Sequence, residues 1–365
     1  MREYLLCLFA AAAVTYLATA PARRLAIRFG AMAEVRDRDV HAEPTPRWGG
    51  LGMFAGLLAG MLLASKLPMM REVFPNSHEW FGLLAGCTLI VALGLLDDRF
   101  GLDAPTKFAG QVLAASVMAF EGLQVLYLPL GNGSVVLDPT TSILLTVVVV
   151  VVTVNAINFV DGLDGLAAGI VGIAALAFFA YSYLLSVEYG FQRATMPTLI
   201  SACLAGICLG FLPHNVFPAR IFMGDTGSML IGLLLAASTI TMSGQIDTSA
   251  LDGTTLLPAL LPILLPVAVV AVPLVDLLLA VVRRTRARRS PFSPDKEHLH
   301  HRLLEMGHSQ RRAVLLMHLW TLLIAGSAVA LAFVPPAIAA VGFATGVAAL
   351  VLAVRWPALQ TRFRT

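Results

Sequence analysis

A chain of 365 residues that is 58% apolar and only 13% charged, with a mean hydropathy of +0.82, is neither a cytosolic enzyme nor a disordered or collagen-like chain. Its formal net charge of +3 is uninformative as a total, because the basic residues are unevenly placed along it. The apolar residues fall in runs of about 17 to 25, the length a helix needs to cross roughly 30 Å of hydrocarbon. An all-α integral membrane protein is expected, and the short alternating stretches of a transmembrane β-barrel are missing.

Eleven spans are predicted within a single polytopic domain covering 1–365: 4–22, 48–67, 80–96, 106–123, 141–157, 165–186, 196–213, 228–243, 256–282, 313–333 and 336–354. The first has only Arg2 before it and no small-residue cleavage site after Ala20, so it reads as an anchor helix. On the second, Gly52, Gly56 and Gly60 recur every four residues, the pattern that lets helix backbones approach closely. Between the fourth and fifth, Leu123 to Leu137 alternates around Gly131-Asn132-Gly133 and reads as a small external β-hairpin. Pro258, Pro262, Pro266 and Pro273 must kink the ninth. Cys7, Cys87, Cys203 and Cys208 lie inside spans without metal-type spacing and read as packing residues.

When the loops are numbered alternately, Arg2, Lys66, Arg71 and Arg193 fall on one side, leaving 21 of the 25 basic residues on the other. The positive-inside rule then puts the N-terminus outside and the C-terminus in the cytoplasm. The run Arg283 to Arg289 serves either as a topological stop signal or as an attractor of anionic head groups and substrates. Nucleic acid is not an expected partner for so short a strip against a membrane.

Four polar clusters escape the hydropathy pattern, and this topology places all of them on the cytoplasmic face, in the loops 97–107, 155–165, 214–228 and 283–312. Asp97-Asp98-Arg99, followed by Asp103 and Lys107, joins the third and fourth spans. Two adjacent acids there either bind a divalent cation, orient an incoming acid, or form a solvated helix end; as acids at a C-terminus they oppose the helix dipole. In Asn155-Ala-Ile-Asn158-Phe-Val-Asp161-Gly-Leu-Asp164-Gly, a continuing helix would put Asn155, Asn158 and Asp161 on one face before two glycines break it. Hard oxygen ligands at a helix break suit Mg²⁺, with helix–helix hydrogen bonding by the Asn residues as the alternative.

The third cluster, Phe222-Met-Gly224-Asp225-Thr226-Gly227-Ser228, precedes the eighth span. Thr226 and Ser228 are expected as N-cap residues, the helix start offers backbone N–H groups to phosphate, and Asp225 is a candidate metal ligand. The fourth, His298-Leu-His300-His301-Arg302, lacks the Cys or carboxylate that would complete a zinc site, and donating to phosphate oxygens suits it better. Acids and amides suited to Mg²⁺, an anion-binding helix start and cationic donors together point to phosphoryl chemistry between a soluble and a lipid-borne substrate.

The order of Asp-Asp-x₄-Asp with a following Lys, Asn-x₂-Asn-x₂-Asp-Gly-Leu-Asp-Gly-Leu, Phe-Met-Gly-Asp-Thr-Gly-Ser and His-Leu-His-His-Arg-Leu closely resembles the polyprenyl-phosphate N-acetylhexosamine-1-phosphate transferases. That superfamily also contains the lipid I synthase. The resemblance runs from about Arg38 to about Arg312, and the stretch Ser290 to Leu304 looks like the branch using UDP-N-acetylglucosamine.

By resemblance, Asn158 and Asp225 are the Mg²⁺ ligands, with Mn²⁺ as a substitute. Phe222 stacks on uracil, Asp164 accepts from the uracil ring, and Asp161 joins them in binding substrate. Lys107 contacts phosphate, and Asp97 and Asp98 are the catalytic acid pair near the lipid phosphate. His298, His300, His301 and Arg302 read the sugar and diphosphate. One departure is Ala104, where family members often carry a Ser or Thr that would cap the fourth helix. The resemblance implies UDP-N-acetylglucosamine and a polyprenyl phosphate, undecaprenyl or decaprenyl, as substrates and the bacterial inner membrane as location, and it admits a homodimer. The alternatives are the muramoyl-pentapeptide transferase of the same superfamily and an ion-coupled transporter; for the latter only Asp276 approaches the midplane.

Overall fold

The computed structural model describes residues 1–33, 44–70, 78–130, 133–188, 195–243 and 308–362, together with Phe74 and Thr285. Among these, ten helices and one hairpin follow in order: α1 Arg2–Phe29, α2 Gly49–Ala64, α3 His78–Phe100, α4 Ala104–Phe120, β1 Tyr127–Leu130, β2 Gly133–Val136, α5 Pro139–Val160, α6 Leu166–Glu188, α7 Thr195–Asn215, α8 Gly224–Ser243, α9 Gln310–Phe333 and α10 Pro336–Arg362. Each expected span other than 256–282, which lies outside the described residues, coincides with one of them. Eight are long and apolar enough to cross a membrane; α2, with 16 residues, and α4, with 17, are shorter. The protein is an integral membrane helix bundle.

The centre of the bundle is α8, buried from Thr226 to Ser243 and surrounded by α2, α3, α5, α6 and α7. Its neighbours approach closely because they present glycine. A Cβ on Gly94 of α3 would lie 2.5 Å from the Thr226 backbone nitrogen, and one on Gly50 of α2 would lie 2.5 Å from the Gly227 Cα. The expected Gly52, Gly56 and Gly60 series packs α2 on α1: Cβ atoms there would meet Thr19 Oγ1 at 2.8 Å, the Ala11 carbonyl at 2.5 Å and the Ala11 Cβ at 3.2 Å. All four cysteines are buried and free, as packing residues should be.

The turns follow local chemistry. Helix α1 ends at Gly30, whose φ of 70° is one that only glycine adopts without strain, and the Ala31 N–H returns to the Ala26 carbonyl at 2.9 Å. Pro139 starts α5 behind Asp138, whose carboxylate accepts from the Thr141 N–H at 3.0 Å and the Thr141 hydroxyl at 2.6 Å. These bonds hold the Asp138 carboxyl below its usual range. The expected hairpin is present, with β1 and β2 antiparallel from Tyr127 opposite Val136 to Leu130 opposite Gly133. Its tip, Gly131-Asn132, lies outside the described residues. Ser142 and Thr146 of α5 bind the Val125 backbone at 2.8 and 2.9 Å, which ties the segment before β1 to the bundle.

Candidate active site

The first three clusters meet at one end of the bundle, where the C-terminal ends of α3 and α5 and the N-terminal ends of α4 and α8 converge. At their centre is Asp225, in the first turn of α8. Its Oδ1 accepts from Asn158 Nδ2 at 2.8 Å, and its Oδ2 is ion-paired with Lys107 Nζ. Lys107 also donates to Asp97 Oδ2 at 3.0 Å, while Asp97 Oδ1 accepts from the Leu102 N–H at 2.8 Å and shapes the turn into α4. Asn158 Nδ2 reaches Ser228 Oγ as well, at 2.9 Å. Residues far apart in sequence thus form one hydrogen-bonded chain from Asp97 through Lys107, Asp225 and Asn158 to Ser228.

Asp98 stands apart from that chain although it adjoins Asp97. It is buried, its Oδ1 accepts from the Asp225 N–H at 2.9 Å, and its Oδ2 accepts from the Thr226 N–H at 3.1 Å and the Thr226 hydroxyl at 2.7 Å. A carboxylate from α3 therefore caps α8. This corrects the expectation for the helix start: Thr226 lies inside the first turn and Ser228 just beyond it, neither at the N-cap, and the Asp225 and Thr226 N–H groups are taken by Asp98 rather than offered to phosphate. The reason is electrostatic, since an ionised acceptor at the positive end of a helix makes stronger bonds than a hydroxyl. Asp97 is the more open member of the pair.

The face shared by Asn155, Asn158 and Asp161 divides between neighbours. Asn155 donates to Gln111 Oε1 of α4 at 2.6 Å and to the Val151 carbonyl at 2.8 Å, so helix–helix bonding is its role. Asp161 follows the end of α5, half-buried, and its carboxylate makes no hydrogen bond among the described residues. Burial pushes its carboxyl up to about 8, helped by the nearby Asp225, Asp98 and Asp164 charges and opposed by the Arg47 guanidinium. Asp164 is buried and accepts from the Ala219 N–H at 2.9 Å, while the next residue, Gly165, donates to Asn215 Oδ1 at 2.9 Å. Asn215 also holds the Ile221 carbonyl at 3.1 Å, so this segment fixes the loop leading to α8. Phe222, half-buried, bonds through its backbone to the Pro46 carbonyl at 2.8 Å and the Gly49 N–H at 3.0 Å.

His298, His300, His301 and Arg302 lie outside the described residues, as does Arg38. Sequence reasoning assigned no role to Gln111, Arg47 or Asn215. Gln111 carried a usable signal, a lone amide inside an apolar span.

Among the described residues no group of three or more His, Cys, Asp or Glu side chains is arranged to enclose a metal ion. The donor set nonetheless fits Mg²⁺, which takes one or two protein oxygens and fills its sphere with water and phosphate. Asn158 turns its Nδ2 to Asp225 here, so it would turn its amide over to offer Oδ1 beside the Asp225 carboxylate to such an ion.

An acidic, lysine-bridged cluster lies at one end of a membrane helix bundle, and comparison with known proteins specifies the class. The glycosyl transferase family 4 model matches residues 80–243, the stretch carrying the three described clusters. Across 346 residues the chain is 52% identical to the decaprenyl-phosphate N-acetylglucosaminephosphotransferase of Mycobacterium tuberculosis, covering 93% of this chain and 86% of that protein. The protein of the same name from Mycolicibacterium smegmatis is 50% identical over 340 residues, 92% and 84% of the two chains. The phospho-N-acetylmuramoyl-pentapeptide-transferase of M. smegmatis is 30% identical over 361 residues, 88% and 94%. The chain belongs to glycosyl transferase family 4.

Proposed function

We propose that the protein transfers N-acetylglucosamine-1-phosphate from UDP-N-acetylglucosamine to decaprenyl phosphate, releasing UMP, as the first membrane step of a cell-envelope glycan. The observation that carries this reading is the convergence of Asp97, Lys107, Asn158 and Asp225 at one end of the bundle. The names of the relatives at 50% and 52% identity support the sugar and the lipid. A relative named as a muramoyl-pentapeptide transferase is more distant, at 30% identity.

In the proposed reaction an oxygen of the lipid phosphate attacks the sugar-bound phosphorus, and the bond from that phosphorus to the UMP oxygen breaks. One phosphoanhydride replaces another, so the protein supplies positioning and charge neutralisation. The lipid phosphate is largely dianionic at neutral pH, having a second pKa near 6, and needs no strong base. Asp97 orients Lys107, and Lys107 presents its ammonium to the incoming phosphates. Asn158 and Asp225 would hold Mg²⁺ through oxygen atoms, and the ion would neutralise diphosphate charge as UMP leaves. Asp98 fixes the start of α8 and with it the position of Asp225. The excess of basic residues on this side supports a cytoplasmic site in a bacterial inner membrane.

The deciding assay is UMP release by the purified full-length protein with decaprenyl phosphate and either UDP-N-acetylglucosamine or UDP-N-acetylmuramoyl-pentapeptide. Turnover with the former is expected. Turnover with only the latter would replace this reading by the lipid I reaction.

A further inference from the structure

A cavity of about 730 Å³ opens beside α1, lined by residues of α1 from Thr19 to Arg24, by the segment 44–46 and by His214 and residues 218–221. Three guanidinium residues, Arg23, Arg24 and Arg220, and the imidazole of His214 line it, and its described lining includes no carboxylate. Arg23 Nε donates to the Arg220 backbone carbonyl at 3.0 Å, which pins the end of α1 to the loop. The side chains of Arg24 and Arg220 make no hydrogen bond or ion pair among the described residues. His214 Nε2 lies 3.0 Å from the Tyr16 carbonyl and donates to it, so the ring stands fixed against α1.

Arg23, Arg24 and Arg220 are all exposed, so water screens their mutual repulsion, but each offers a guanidinium fork that matches a pair of phosphate oxygens. The volume is that of a small-molecule pocket, too large for one ion alone and wide enough for a phosphate with a glycerol-sized substituent. Along α1, exposed Phe9, Tyr16 and Leu17 precede Arg23 and Arg24, and exposed Leu25, Ile27 and Phe29 follow them, so the arginines interrupt an apolar face. Anionic head groups gather at basic residues beside an apolar surface. None of Asp97, Lys107, Asn158 and Asp225 lines the cavity, although the N–H of its lining residue Ala219 is bound by Asp164.

We propose that this cavity is a second anion site, distinct from the reaction centre, in which Arg23, Arg24 and Arg220 hold a phosphate group carried by an anionic phospholipid or by a free phosphate anion. The site does not depend on which sugar nucleotide the enzyme uses.

The test uses full-length protein in detergent, with dioleoyl phosphatidylglycerol, dioleoyl phosphatidylcholine and inorganic phosphate as probes. Native mass spectrometry reads lipid retention, and the shift in melting temperature reads phosphate. The double variant Arg24→Gln/Arg220→Gln removes two charges but keeps the Arg23 bond, because its acceptor is backbone. Wild type should retain phosphatidylglycerol about tenfold better than phosphatidylcholine, and the variant should lose that preference. A preference that disappears in the variant assigns the phosphate to lipid; a phosphate-induced shift seen only in wild type, without lipid preference, assigns it to a free anion. Equal retention of both lipids by wild type with no phosphate shift, or an unchanged response in the variant, would overturn the site. Should the double variant lose its unliganded melting transition, Arg24→Gln and Arg220→Gln singly carry the same comparison.

Discussion

Helices α8 and α10 are both apolar enough to cross a membrane, yet every residue in the most apolar stretch of α8 is buried by protein, against 11% for α10. The more hydrophobic of the two is α10, the exposed one. The difference shows what hydropathy measures in such a bundle: a lipid-facing helix must be apolar, whereas a central helix can carry hydroxyls if each finds an acceptor. In α8 they do, with Ser238, Thr239 and Thr241 donating to the carbonyls four residues back at 2.9, 3.0 and 2.8 Å. Centrality is read instead from the glycines of its neighbours and from the polar groups at its start.

The contrast can be broken most strongly at Gly94. Gly94→Leu must displace the α8 backbone at Asp225 and Thr226, and the cost is expected to exceed the usual ~1–3 kcal/mol of overpacking. Loss of the cooperative melting transition in detergent, or its fall by many degrees, checks it. Asp98→Asn should cost about 1–3 kcal/mol, because charge-assisted caps are lost while one oxygen acceptor remains. Its kcat should fall with the displacement of Asp225, and an unchanged melting temperature together with an unchanged kcat would remove Asp98 as the cap that positions the site.

Asp161→Asn probes electrostatics rather than packing. In metal-free protein the Asp161 carboxyl is pushed up to about 8, so the folded state holds a proton that the unfolded state has released, and stability should fall as pH rises from about 5 to about 8. The Asn variant should show a flatter metal-free melting profile over that window, read by thermal unfolding in EDTA. The smallest effect is expected on α10, where Val341 is 67% exposed: Val341→Leu, which keeps that face apolar, should stay within about 0.5 kcal/mol of wild type.

Much of this was legible in the sequence. Runs of apolar residues located the helices, and their alternation brought Asp97, Lys107, Asn158 and Asp225 to one end before any contact was known. The hairpin was visible in its alternation. What escaped was compensation between helices. Two acids at the end of α3 oppose their own dipole, which pointed to chemistry for both, but the opposing field comes from the start of α8, and Asp98 spends its acceptors there. Likewise Asn155 and Asn158 look equivalent in sequence, and only the positions of Gln111 on α4 and Asp225 on α8 separate a packing amide from a site amide.

UMP release as a function of Mg²⁺ concentration tests most directly whether Asn158 and Asp225 form the proposed metal-dependent reaction centre. Wild type should lose turnover in EDTA and regain it with Mg²⁺, while Asp225→Asn and Asn158→Ala, each confirmed folded by its melting transition, should lose about a hundredfold or more at every Mg²⁺ concentration. Turnover close to wild type in both variants, with an unchanged Mg²⁺ requirement, would contradict the account.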